Sequence, residues 1–306
     1  MLAGAVYSEV ADRTLIVDWR RSRYSDSGEN TFYSLFNLKN IESTSEIPNT
    51  GDVRPQSWDS RLDLSMHQAY VQDGWESWDR EKVIAHYSIN FDIIDYEEEV
   101  TVSWDFDQIG KLLRHFPECQ NIAQLFHYSA QKFLDVAPDI EREFINHRSK
   151  LPERYLGVHI RYTNEFAENK GLVEKSRYFE VIKKAVGRAS QPFFLACDNE
   201  AVQRELVYRY PNAIVIEKWF SESGAPLHLN ENCPDKLANA QSALTDILLL
   251  AHSSHLICNP NSCFSECAQY FSPHFPQSIR SVLPRRRYAN AAAALQGKLS
   301  RLRSLW

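Results

Sequence analysis

The chain has 306 residues, 43% of them hydrophobic and 24% charged, an ordinary globular composition with enough apolar material for two α/β cores. Only 10 glycines and 13 prolines exclude collagen-like or low-complexity structure, and a net charge of −6 argues against a general nucleic-acid binder, which needs a basic face. Its apolar runs, such as Ile247–Ala251, fall far short of the ~20 residues of a membrane span, and Met1–Tyr7 lacks the basic flank and apolar length of a secretion signal.

In chain order, Leu2, Val6 and Val10 recur at helical spacing over Met1–Asp12. Leu15–Trp19 reads as a buried parallel strand, followed by the arginine-bearing loop Arg20–Tyr24. Residues 40–80 are rich in Ser, Thr, Asn, Asp and Pro and read mostly as loop. His86–Ile94 and Val100–Trp104 read as strands. From Phe106 to His147 the spacing turns helical: Ile109, Leu112, Leu113 and Phe116 share a face, and Ile122, Leu125, Phe126, Phe133 and Leu134 continue the period. Pro138 suits the first turn of a helix over Asp139–Arg148. The polar stretch Ser149–Arg154 marks a domain boundary, giving domains over 1–150 and 151–285 and a C-terminal helix over 286–306 that packs back on the first domain.

Beyond that boundary, strands alternate with helices: strands at Tyr155–Arg161, Pro192–Asp198, Ala213–Glu217 and His255–Asn259, helices at Ser176–Arg188, Ala201–Tyr210, Ser242–His252 and Ser262–Phe271. This alternation predicts a doubly wound parallel sheet. Such sheets bind ligands beyond the carboxyl ends of their strands, so the residues just past each strand are the ones that matter. There the sequence places His159, Arg161 and Asn164, then Asp198, then Asn261 and Ser262. Asp246 stands among apolar helix neighbours, where it needs a donor. The planar guanidinium of Arg161 can clasp a diphosphate, the helix that begins at Ser262 favours an anion, and Asp246 suits a guanine edge with its N1–H and N2–H₂. Each residue also has a plainer role: Arg161 paired with Asp198, Ser262 as a cap, Asp246 paired within the fold.

Together these residues carry a resemblance. Gly157-Val-His-Ile-Arg-Tyr-Thr-Asn-Glu165, Phe193-Phe-Leu-Ala-Cys-Asp198 and Leu244–Ala251 with Asn261-Ser262 resemble, in order and spacing, the three motifs of the α1,6-fucosyltransferase superfamily. Asp12–Tyr24 resembles its rhizobial branch, which modifies chitooligosaccharides. The resemblance implies a GT-B fold, two Rossmann-like domains facing across a cleft, and an inverting, metal-independent transferase. By the same resemblance its donor would be GDP-fucose and its acceptor a GlcNAc-type glycan. Arg161 would bind the β-phosphate, Asp198 would hold Arg161, Ser262 would touch phosphate, and His159 and Asp246 would lie by the guanine. Asn164 and Asn261 fall within the same donor-binding motifs. For the base that deprotonates the acceptor, the loop after Arg161 offers Glu165 and Glu168, with Glu165 nearer the strand end.

The sequence departs from the family pattern in three places. It begins inside the first helix, without the first strand and the Gly-rich turn. Asn199 stands where a second Asp is usual, and motif one continues Asn164-Glu165-Phe166. Two alternatives stay open: a degenerate nucleotide- or glycan-binding protein, and a GT-B transferase with another nucleotide-sugar donor. A Rossmann dehydrogenase is a weak reading because no Gly-x-Gly-x-x-Gly follows any strand. Trp75, Trp78 and Trp104 are candidates for stacking on sugar rings. The basic residues Arg285, Arg286, Arg287, Lys298, Arg301 and Arg303 read either as a solvated helix end or as a peripheral membrane or phosphate contact. Six cysteines without a Cys-x-x-Cys pair suit reduced thiols in a cytoplasm and argue against a metal site.

Overall fold

A computed structural model describes residues 1–20, 22, 24, 28–47, 49, 52–53, 60–64, 113–162, 175–186, 192–221, 232–260 and 262–283. The chain divides into two compact units, Met1–Ala137 and Pro138–Trp306. The expected strands at 86–94 and 100–104, the helical stretch 106–112, Trp75, Trp78 and Trp104, and the basic C-terminus all lie outside the described residues.

In the first unit, helix α1 (Leu2–Ala11) ends where Asp12 turns into the left-handed region. Strand β1 (Leu15–Ile16) pairs in parallel with β3 (Ser43–Thr44). β1 is shorter than the Leu15–Trp19 strand read from the sequence. After Val17 the chain is taken up by side chains instead: Asn30 accepts from the Trp19 amide and donates to the Val17 carbonyl, and Asp18 clasps the Arg20 guanidinium at 2.8 Å. Strand β2 (Phe36–Leu38) pairs antiparallel with β4 (Leu134–Val136). Helix α2 (Ile122–Phe133) is capped by Asn121, whose side chain accepts from Gln124 N–H, and buries Leu125, Phe126, Ser129, Ala130 and Phe133 along one face. Leu134, which the apolar period assigned to this helix, leaves it for β4 because the neighbouring strand Phe36–Leu38 offers a hydrogen-bonding edge.

The second unit opens with helix α3 (Pro138–Arg148). The sequence placed the boundary at 149–154, whereas the compact units divide before α3, which goes with the second unit. Its Phe144 packs against His252, with ring centroids 4.6 Å apart, and joins the core of that unit. The core surrounds a five-stranded parallel sheet in the order β7 (Ala213–Ile214), β6 (Phe193–Cys197), β5 (Leu156–Ile160), β8 (His255–Cys258), β9 (Ser278–Ser281). Helices α4 (Lys175–Val186), α5 (Glu200–Arg209), α6 (Lys236–Ala251) and α7 (Cys263–Tyr270) connect or flank the strands. Two differences from the sequence reading stand out. α6 starts six residues earlier than Ser242, at a point set by the Asp235 side chain accepting from Ala238 N–H, and the edge strand β9 was missed.

The sheet is buried on both faces, as parallel sheets are. Val158, Ile160, Phe193, Leu195, Cys197 and Ile257 meet Tyr178, Val181 and Ile182 of α4 and Val202 and Leu206 of α5. On the opposite face, Phe194, Ala196, Leu256 and Cys258 meet Leu249 and Leu250 of α6 and Ala268 of α7. Each of the Val, Leu, Ile and Phe side chains among them contributes about 1.5–3 kcal/mol by leaving water. Gly157 lets the end of α6 approach the central strand: a Cβ there would stand 2.5 Å from Ser253 Oγ and 2.9 Å from Ser253 Cβ. We expect Gly157→Ala to destabilise the protein by about 1–3 kcal/mol through overpacking, read as a lower denaturation midpoint with an unchanged slope. An unchanged midpoint would show that α6 gives way without cost.

Candidate active site

The strand order creates one place where the chain direction reverses. From β5 it runs outward through β6 to β7, then returns to β8 on the other side. The carboxyl ends of β5 and β8, on either side of this reversal, are where sheets of this kind bind their ligands. Arg161 directly follows β5, Asp198 follows β6, and Ser262 lies four residues past β8 at the N-cap of α7.

Arg161 Nη1 lies 3.1 Å from Asp198 Oδ2, with side-chain exposures of 29% and 10%. The other oxygen of Asp198 accepts from the Tyr162 amide at 2.6 Å. One carboxylate therefore fixes both the backbone past β5 and the guanidinium. This is the pairing read from the sequence, and it holds Arg161 partly open at the strand end. Asn199 caps α5, its side chain accepting from Val202 N–H at 3.0 Å, a role that accounts for Asn at this position. Ser262 occupies the N-cap of α7 but makes no side-chain capping bond.

His159 is 4% exposed and held from α7: Nδ1 lies 2.7 Å from Ser265 Oγ, and the ring stacks on Phe264 with centroids 4.8 Å apart. Burial pushes its pKa down to about 3, helped by the positive charges of Arg161 and Lys218. It is thus a neutral imidazole at ordinary pH.

Asp246 is buried in α6 and has a partner the sequence reading did not include. Lys218 Nζ lies 2.5 Å from Asp246 Oδ2, with side-chain exposures of 7% and 2%. Burial raises the pKa of Asp246, and Lys218 opposes that shift. Asp246 Oδ1 is buried without a hydrogen-bond partner among the described residues, as is His147 Nδ1 on α3. Lys218 also lies 5.6 Å from the Phe220 ring centroid. Because Lys218 stands four residues past β7, the same strand-end rule that singled out Arg161 and Asp198 reaches it. Phe264 and Ser265 carried no such signal.

Asn164, Glu165, Glu168 and Asn261 lie outside the described residues. Among the described residues, no three His, Cys, Asp or Glu side chains gather where they could hold a metal ion, and no helix is long and apolar enough to cross a membrane. All six cysteines are free thiols, four of them buried, with Cys263 exposed.

No protein-family model matches the chain, and no curated protein matches it by sequence. Solved structures do match. NodZ α-1,6-fucosyltransferase soaked with GDP-fucose aligns with a TM-score of 0.54 at 17% identity, over 89% of this chain and 87% of that one. Fucosyltransferase NodZ from Bradyrhizobium aligns with a TM-score of 0.54 at 18% identity, over 89% and 88%. NodZ co-crystallised with GDP aligns with a TM-score of 0.52 at 17% identity, over 89% and 88%. The chain has the NodZ fold. Its fold class is GT-B, as the sequence resemblance implied.

A neutral buried histidine has a measurable signature. The unfolded chain takes up a proton near pH 6.5, whereas the native His159 does so only near 3. The unfolded state therefore binds more protons between these values. The stabilising contribution is complete above pH 6.5 and is lost as pH falls toward 3, at no more than about 1.4 kcal/mol per pH unit. Subtracting the stability-versus-pH curve of His159→Gln from that of the wild type should isolate this slope. A flat difference would mean that His159 titrates normally in the folded protein.

Proposed function

We infer that this protein is an inverting glycosyltransferase that moves L-fucose from GDP-fucose to a glycan hydroxyl. The observation that carries this reading is Arg161, held by Asp198 at the switch point of the sheet, with the N-terminus of α7, where Ser262 makes no side-chain capping bond, following the neighbouring strand. A guanidinium and a helix N-terminus are a matched pair for a diphosphate. Two further observations support the donor: the shared fold with NodZ, which is solved with GDP-fucose and with GDP, and the three motifs of the sequence.

In this reading the second unit holds the donor. The acceptor oxygen attacks the anomeric carbon as the bond to the β-phosphate oxygen breaks, and GDP leaves from the opposite face. Glu165, or Glu168 three residues later in the sequence, takes the acceptor proton. Arg161 and the α7 N-terminus with Ser262 meet the charge that develops on the diphosphate. They are already oriented and so need no rearrangement in the transition state. Because these groups already supply the neutralisation, we assign the reaction no metal and no cofactor. Asp246 and His159 take the guanine side, and Asn164 and Asn261 complete the donor contacts. The acceptor is a GlcNAc-type glycan by the resemblance, and the six free thiols favour the cytoplasm.

Loss of one positioned charge contact at a developing anion typically costs ~10²–10³ in rate. Arg161→Ala should lower fucosyl transfer by that factor while keeping the unfolding transition cooperative. GDP at ~100 times its Kd should stabilise the wild type by about 2.7 kcal/mol, seen as a rise in Tm without added metal, and that rise should vanish in Arg161→Ala. Normal turnover by the variant would end this mechanism. Stabilisation by GDP without any turnover would point to the degenerate binding protein, and stabilisation by UDP alone to another donor.

A further inference from the structure

Beyond β1 the chain from Val17 to Tyr24 is held by side chains. Asn30 accepts from the amides of Trp19 and Phe32 and donates to the Val17 carbonyl at 2.6 Å. Ser22 Oγ lies 2.7 Å from Thr31 Oγ1 and accepts from the Tyr24 amide at 3.3 Å. These bonds fix Trp19 and Tyr24 past the carboxyl end of a parallel strand, the end at which α/β sheets bind ligands. Trp19 rests on the fully buried Phe32, ring centroids 5.3 Å apart in an edge contact. Tyr24 lies beside Trp19, with centroids 5.8 Å apart and planes tilted by 33°. Both rings are half-buried, so each keeps part of its surface in water.

An ion pair flanks Trp19 in the chain. Arg20 gives Nε and Nη2 to the two oxygens of Asp18 at 2.8 and 2.9 Å, and Nη2 also donates to the Leu62 carbonyl at 3.2 Å. A guanidinium has five N–H groups, and those on Nη1 meet no acceptor among the described residues. The side chains of Arg20 and Asp18 are 35% and 18% exposed. These groups select a class of ligand. The ion pair is neutral as a unit, so it has no net charge to draw an anion. It still offers N–H donors and carboxylate lone pairs to a hydroxyl, which both donates and accepts. Aromatic faces are electron-rich and take the C–H groups of a saturated ring. A neutral pyranose has both parts, a face of C–H groups and a rim of hydroxyls. Its flattest faces occur where every ring substituent is equatorial, as in β-linked glucose and N-acetylglucosamine, because each axial position is then a C–H.

We propose that Trp19 and Tyr24, flanked by the Asp18–Arg20 pair, form a subsite for a neutral, equatorially substituted pyranose of the acceptor glycan. The C–H face of the sugar lies on the aromatic pair, and hydroxyls at its rim meet Nη1 of Arg20 and the lone pairs of Asp18. The loop is already fixed by Asn30, Ser22 and Thr31, so little ordering is left to oppose binding. As an acceptor subsite this rests on the transferase reading above; as a glycan contact it is measurable without turnover. Trp75, Trp78 and Trp104, the tryptophans that the sequence offered for stacking, lie outside the described residues. Trp19 follows β1 closely enough for the strand-end rule to reach it.

Isothermal titration and saturation-transfer NMR of the full chain with chitotetraose, with and without saturating GDP, test this. Irradiation of aromatic protein protons should saturate the protons of one sugar face more than those of the other. Trp19→Leu should weaken chitotetraose binding at least ~10-fold, the scale of a tryptophan at the centre of a contact. Trp19→Phe, which keeps a ring, should stay within ~3-fold of the wild type, and stabilisation by GDP should be unchanged in both. If Trp19→Leu loses its cooperative unfolding transition, Tyr24→Leu carries the comparison, with binding weakened at least ~3-fold. Four results overturn the inference and leave the donor reading standing: equal affinity in the wild type and the Leu variant, even saturation of both sugar faces, tighter binding of a sulfated tetrasaccharide than of chitotetraose, or stabilisation by GDP with no glycan binding. Glycan binding that Trp19→Leu abolishes, in a chain that GDP does not stabilise, would uphold the subsite and end the donor reading. A chain that takes neither ligand would overturn both.

Discussion

The second unit is organised by the need to cover a parallel sheet on both faces. Apolar side chains alternate to opposite sides of β5 and β6, so neither side can be left to water. Helices must cross on each side, and a chain that covers both faces has to change direction once. That reversal, between β5 and β8, is where the polar residues collect. The site is thus a consequence of the packing problem. Gly157, on the central strand, shows how tight the solution is, since a single methyl group there would collide with Ser253 at the end of α6.

Two ion pairs and one neutral histidine stand among the described residues named for the site. Arg161 is balanced by Asp198 and Lys218 by Asp246, while burial keeps His159 uncharged. Before any ligand arrives these named groups sum to zero. The two pairs differ in what they offer. The Arg161 pair is part-exposed, so the guanidinium has further N–H groups for an incoming anion while Asp198, anchored by the Tyr162 amide, holds it in place. The Lys218 pair is dry, and an unpaired charge there would cost several kcal/mol, so both members must stay together. The first arrangement suits a group that binds and releases, the second a fixed template.

The sequence was legible where local and long-range signals agreed. Leu156–Ile160, Phe193–Cys197 and His255–Cys258 are short apolar runs between helical stretches, and each became a strand. Arg161 and Asp198 could be matched because adjacent parallel strands bring their carboxyl ends together. It was illegible where tertiary contact overruled local pattern. Leu134 continues the apolar period of α2, yet a strand far earlier in the sequence claims it, since Leu38 pairs with it. Ser278–Ser281 is exposed at three of its four positions, so no periodic burial marked it as a strand. Lys218 follows a strand that is only Ala213–Ile214 in length, and nothing in the sequence tied it to Asp246, its partner on a helix 28 residues further on. Pro138–Arg148 looked like the end of one domain because the polar stretch comes after it, whereas Phe144 is what decides its allegiance.

Cys263 opens α7, directly after Ser262, and its thiol is exposed while four others are buried. A thiol on an exposed residue at the first position of that helix is a built-in reporter. A maleimide or a thiol-reactive fluorophore would attach there in preference to the four buried thiols. The rate of its attachment would then register whatever comes to rest against that helix, with no change to the chain.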